Sequence, residues 1–100
     1  MESERLHAVI TGDVQGVGFR FFLIRHAQAL DLRGWVRNRD DGAVELVAEG
    51  PRLDLEQLLF YAKDGPRQAR VSHVDAGWSV ASGGLDLFDI SAGGGEVGTI

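Results

Sequence analysis

Ile10-Thr11-Gly12-Asp13-Val14-Gln15-Gly16-Val17-Gly18-Phe19-Arg20 carries the chain out of one periodicity and into another. Leu6-His7-Ala8-Val9-Ile10-Thr11 is short, apolar and β-branched toward its end, the composition of a central strand. Beyond the glycines, Phe19, Phe22, Leu23, Ala27 and Leu30 recur at helical spacing with no proline or glycine between them. That spacing predicts a first helix over 19–30 with one apolar face.

Downstream, Gly34-Trp35-Val36-Arg37-Asn38 and Ala43-Val44-Glu45-Leu46-Val47-Ala48-Glu49 flank Arg39-Asp40-Asp41-Gly42, a hairpin whose glycine can supply a positive φ. Val44, Leu46 and Ala48 fall on one face, suited to helix packing, and Glu45, Val47 and Glu49 on the other, suited to solvent. Gly50-Pro51 ends the hairpin. A second helix is expected over 53–63, with Leu55, Leu58, Leu59 and Ala62 as its buried stripe and Asp54 and Glu56 near its positive end. Gly65-Pro66 stops it. Residues 71–79 read as a strand kinked at Gly77, and 87–90 as a short last strand at an edge. The order strand–helix–strand–strand–helix–strand is the split βαβ plan of an α+β ferredoxin-like sandwich. Its two helices cover one face of an antiparallel sheet, with a short extra edge strand.

Composition bounds what such a chain can do. At 100 residues, 44% hydrophobic and 25% charged, it holds one domain with one modest core. It has no cysteine, which excludes disulfides, thiolate metal sites and cysteine nucleophiles and fits a cytoplasmic setting. Met1-Glu2-Ser3-Glu4-Arg5 lacks the basic start and apolar stretch of a secretion signal. No apolar run approaches the roughly 20 residues that span a bilayer, so no membrane association is expected. The net charge of −5 argues against nucleic acid as a partner. A negative protein can still bind one small anion where its field is locally reversed.

Residues 12–20 offer such a place. They lie between a strand and a helix N-terminus, where unpaired N–H groups and the positive dipole end converge. Gly16 and Gly18 remove side chains, so the loop can curl into a concave nest of N–H groups. Arg20 can reach into the same space with paired, permanently charged donors suited to phosphate. The loop lacks the Gly-Lys-Ser/Thr ending of a nucleotide P-loop and the dinucleotide fingerprint, so a single-phosphate cradle fits better. The sandwich brings Asn38, at the end of the first hairpin strand, near this loop. Its amide can accept from a water while donating elsewhere. On the residues alone, plainer readings stand beside these: a glycine-eased turn with a solvated arginine, and an asparagine that bends backbone.

The opening stretch, residues 10–20, resembles the first signature of the acylphosphatase family. Gly34-Trp35-Val36-Arg37-Asn38, with Gly42-Ala43-Val44 and Gly50 after it, resembles the second. Two motifs in the right order and separation are far more specific than either alone. The similarity spans 6–90, including Gly65-Pro66, Ala69 and Val71. It implies hydrolysis of acyl phosphates to a carboxylate and inorganic phosphate on a ferredoxin-like sandwich. It further implies Arg20 as the phosphate-binding catalytic residue, Gln15, Gly16, Val17, Gly18 and Phe19 as the backbone cradle, and Asn38 as the catalytic residue that orients the attacking water. The expected partner is a small-molecule acyl phosphate, with no cofactor and no metal, and the chain is expected to act as a monomer. Residues 1–90 form the expected domain, and 91–100, with Gly93-Gly94-Gly95, an expected mobile tail that extends past the family's usual end. Asp31 stands where glycine commonly closes the first helix, at an expected small cost in stability.

Other constellations read plainly. His7, His26 and His73 are scattered without metal-ligand spacing. Asp40 and Asp41 suit a turn, Glu45 and Glu49 a solvated strand face, and Trp35 and Trp78 packing. The main rival is a non-hydrolytic acyl- or carbamoyl-phosphate-binding module serving a larger modification system. It would share the loop and arginine, and the lack of an attached domain favours the free-standing enzyme. An RNA-binding sheet would need aromatics on its open face, where this chain has Glu45, Val47 and Glu49.

Overall fold

In the computed structural model, which describes residues 2–91, the sheet is assembled around β1 (Ser3–Asp13). The elements that follow are α1 (Phe19–Ala29), β2 (Arg33–Asn38), β3 (Val44–Pro51), α2 (Arg52–Asp64), β4 (Arg70–Val80) and β5 (Asp89–Ile90). The sheet order is β4-β1-β3-β2-β5. Both β1–β3 and β1–β4 are antiparallel, as is β2–β3. The short β5 joins β2 in parallel, which makes the five-stranded sheet mixed.

Alternation along the strands sets the core. Leu6, Ala8 and Ile10 of β1 lie opposite Ala48, Leu46 and Val44 of β3, and Val36 of β2 lies opposite Leu46. All of these are buried, together with Phe19, Leu23 and Ala27 of α1 and Leu55, Leu58 and Ala62 of α2. The two helices thus cover one face, with Phe22 and Leu30 of the stripe expected for α1 only partly buried against it. Leu59 packs only at the margin of this core. Phe88, just before β5, is fully buried and pins the last segment against the sheet.

Three details differ from the sequence reading. Glu45 and Glu49 do not face solvent: they are only 9% and 4% exposed. β3 is a central strand, so side chains from its neighbours lie across the polar face. Arg5 of β1 donates to Glu49 at 2.7 Å, and the N–H groups of Ser82 and Gly83 donate to the same carboxylate at 2.8 and 3.0 Å. Arg37 of β2 donates to Glu45 at 2.7 Å, and His7 Nε2 lies 2.6 Å from it. Second, β4 runs in register past Gly77, which pairs with His7, and the irregularity falls between Thr11 and Gly12 of β1. There Gly12 takes φ 129 with its missing Cβ aimed at the Arg70 carbonyl, a close approach only glycine permits. Third, the last strand shrinks to two residues, with Leu87 making an isolated bridge to Arg33. The expected tail at 91–100 falls, beyond Ser91, outside the described residues.

Candidate active site

The turn from β1 into α1 is held from below by Val14 and Phe19, both buried in the core. Between them the chain passes Gly16 and Gly18 at φ 75 and 79, left-handed conformations that side chains with a Cβ rarely adopt. Gly18 is the N-cap of α1, so no side chain caps the helix, and no acidic residue stands in its first turn. Among the described residues, no N–H from positions 15–19 is spent on a backbone carbonyl. The positive end of α1 therefore faces outward with its donors available.

The hairpin end is brought to this loop by one side chain. Gln15 Nε2 donates to the carbonyls of Arg39 at 2.8 Å and Ala43 at 3.0 Å. These residues close the β2–β3 turn, where the Arg39 N–H also donates to the Ala43 carbonyl at 2.8 Å. Asp41 braces the same turn, accepting from the Ala43 N–H at 3.1 Å and from Arg39 at 2.8 Å. The Ala43 N–H and then the Arg39 guanidinium hold its carboxyl below the usual range. Asn38 pairs with Val44 at the end of β2, in step with Val36 and so on the helix-covered side of the sheet.

Together these elements enclose a cavity of about 80 Å³ lined by Val14, Gly16, Gly18, Phe19, Arg20, Phe21 and Asn38. No carboxylate pairs with Arg20 among the described residues, so its charge is open to an anion. Of the residues read from sequence, Gly16, Gly18, Phe19, Arg20 and Asn38 meet at this cavity. Gln15 and Val17 do not line it: Gln15 reaches across to the hairpin turn, and Val17 packs against the core. The sequence reading missed the Gln15 clamp and the place of Phe21 at the rim, because neither follows from local pattern. A broader depression of about 450 Å³, lined by Arg37, Asn38, Arg39, Asp40 and Asp41, adjoins the cavity through Asn38.

The arrangement suits a tetrahedral oxyanion: glycine backbone, the N-terminus of α1 and Arg20 border one small space. An amide at its wall can hold a neutral hydrogen-bonding molecule such as water. Among the described residues, no three His, Asp or Glu side chains converge as metal ligands would. No helix there is long and apolar enough to cross a membrane.

A family model described as Acylphosphatase matches residues 6–90. An acylphosphatase of Salinibacter ruber is 52% identical over 87 residues, covering 87% of this chain and 92% of that protein. The crystal structure of acylphosphatase from Bacillus subtilis superposes with a TM-score of 0.85 at 37% identity, covering 89% of this chain and 99% of that one. Full-length HypF, in its phosphate- and nucleotide-bound form, superposes with a TM-score of 0.82 at 27% identity. It covers 91% of this chain, which corresponds to 12% of HypF.

Proposed function

The chain belongs to the acylphosphatase family and is an acylphosphatase, and we propose that the loop at residues 15–19 and Arg20 hold the substrate's phosphoryl group while Asn38 positions the water that attacks it. One observation carries this reading: Arg20, Asn38 and the uncapped, glycine-bearing loop border a single small cavity. A non-hydrolytic binding module is not favoured, since the relatives that match along nearly their whole length are named acylphosphatases.

The carboxylate is a good leaving group, so the reaction demands no strong general acid. In a loose phosphoryl-transfer transition state, the protein's work is positioning and stabilisation of the equatorial oxygens. The loop N–H groups and Arg20 supply the second, in a geometry set before the substrate arrives. The Asn38 amide holds a water in line with the departing carboxylate. As that water's oxygen bonds to phosphorus, the bond from phosphorus to the acyl oxygen breaks and the carboxylate leaves with its electron pair. An amide cannot serve as a base, so the water's proton passes to the phosphate or to solvent. The reaction needs no metal in this scheme, and the protein works as a cytoplasmic monomer with residues 1–90 as its catalytic unit.

Phosphate release from benzoyl phosphate, measured with excess chelator, tests the reading. Turnover is expected to survive chelation and to fall by at least about 10²-fold in Arg20→Ala. Arg20→Lys should rescue poorly, because an ammonium cannot reproduce the planar fork. Asn38→Ala is expected to lower turnover more than affinity for inorganic phosphate. Weakened phosphate binding with turnover intact would remove Asn38 from the water-positioning role.

A further inference from the structure

A cavity of about 80 Å³ is small beside the roughly 300–1,000 Å³ of pockets that enclose a drug-sized ligand. It suits a phosphoryl group, and the acyl part of a substrate must then lie across the rim. What the rim is made of decides which acyl groups gain from binding.

Most of the lining is already accounted for. Val14 and Phe19 are anchored in the core, the glycines present backbone, and Arg20 and Asn38 present polar heads. Phe21 remains. It is the third residue of α1 and lies off the buried stripe of Phe19, Leu23 and Ala27. Its side chain is 65% exposed. Phe19, Phe22, His26, Phe60 and Tyr61 form a chain of ring contacts that leaves Phe21 out. Single exposed apolar residues need no explanation in general, and Leu53 and Phe60 on α2, also exposed, line a separate open depression with Glu56 and Gln57. Phe21 differs because it borders the cavity. On the Asn38 side the rim continues into the polar turn of Arg37, Arg39, Asp40 and Asp41, so Phe21 supplies an apolar contact that this side lacks.

We infer that Phe21 is a specificity-determining residue whose ring forms an apolar shelf for the acyl group. The enzyme therefore favours acyl phosphates with aromatic or bulky aliphatic acyl groups over the smallest ones. This rests on the phosphoryl group occupying the cradle proposed above. The shelf touches the unreactive part of the substrate, so it acts on ground state and transition state alike and appears mainly in KM.

The test is steady-state kinetics of the full chain on benzoyl phosphate and acetyl phosphate, whose carboxylate leaving groups are of similar basicity. In Phe21→Ala, kcat/KM for benzoyl phosphate is expected to fall about tenfold, chiefly through KM. The value for acetyl phosphate should stay within about twofold. Phe21→Leu should fall between. Each variant is read as the ratio of the two substrates on one preparation, so any loss of folded enzyme cancels. An unchanged ratio in Phe21→Ala overturns the shelf. Inhibition by inorganic phosphate is measured alongside in Phe21→Ala and Arg20→Ala. It should persist in the first and be lost in the second. Equal phosphate inhibition in wild type and Arg20→Ala would instead overturn the cradle, which separates the two failures.

Discussion

Gln15 spends both hydrogens of its amide on carbonyls of the β2–β3 turn, and its own backbone lies in the loop that carries the glycines. One side chain therefore ties the loop directly to the turn beyond Asn38, in addition to the pairing of Ile10 and Asn38 with Val44 in the sheet. Gln15→Leu removes both bonds at similar size, with an expected stability loss of about 1–2 kcal/mol. The larger effect is expected in turnover, because a displacement of about 1 Å at the reacting water can cost up to 10²-fold. Turnover and phosphate inhibition should be measured together in this variant. A drop in kcat with phosphate affinity largely kept fits a positioning role, whereas a lowered melting temperature with kcat intact would reduce Gln15 to a structural tie. At this scale the sequence was partly legible. A glycine pair followed by arginine at a strand-to-helix junction is a local pattern that allows an anion site or an eased turn with a solvated arginine, and only the resemblance of the longer stretch chose between them. The partners of Gln15 are not local, and no pattern around a glutamine names two carbonyls on a distant turn.

At the C-terminus of α1, the Asp31 N–H donates to the Gln28 carbonyl at 3.0 Å and the Leu32 N–H to the Ala27 carbonyl at 2.9 Å. This is a Schellman motif, and it places Asp31 in the left-handed region at φ 58. The left-handed backbone at Asp31 is the physical source of the cost expected from its position in the sequence. Asp31→Gly is expected to stabilise the fold by about 0.5–1 kcal/mol and leave activity unchanged. Denaturant melts of the two proteins check this; an unchanged or lowered midpoint would mean the Asp31 side chain gives back as much as its backbone costs. Helix extents were legible within a residue or two, since glycine, proline and apolar spacing act within one element. The polar face of β3 was not. Its alternation correctly separated Glu45 and Glu49 from the core side, but burial depended on Arg5, Arg37 and the N–H groups of Ser82 and Gly83 coming across from elsewhere. Gly77 misled for the same reason: a glycine marks a possible irregularity, and the packing of Gly12 against β4 decides where it falls.

Across the whole molecule, the net charge is −5, and two of the carboxylates, Glu45 and Glu49, are tied to Arg37 and Arg5 on the polar face of β3. Burial pushes the Glu49 carboxyl up, but the Ser82 N–H, Arg5 and the Gly83 N–H outweigh it and hold the pKa at about 2. Burial also pushes Glu45 up, and His7 and Arg37 bring it below the usual value. A carboxyl with a depressed folded pKa stabilises the fold fully above its unfolded value, 4.5 for Glu49, and loses that contribution as the pH falls toward 2. For Glu49 this amounts to roughly 3 kcal/mol at neutral pH. Melting temperatures are accordingly expected to decline between pH 4.5 and about 2. In Glu49→Gln, stability at neutral pH should be lower and the decline shallower. An equal decline in wild type and variant would show that other carboxyls drive the acid transition. The fold class was the most legible property of all, because the order of elements leaves few ways to pack two helices on one face of a sheet, although the parallel β5 makes that sheet mixed.

β1 has a neighbour on each side: Leu6 pairs with Ala48 of β3 and with Trp78 of β4. β1 leaves the ribosome before either of these partners, so its pairing is completed only after β3 and then β4 have emerged. Such long-range pairing slows folding relative to a bundle of local contacts. It also means that the loop leaving β1 gains its rigid footing only when β4 has docked. Binding competence should then emerge in a single late event rather than grow with chain length, so that a ribosome-stalled chain lacking β4 exposes apolar strand edges before it can hold phosphate.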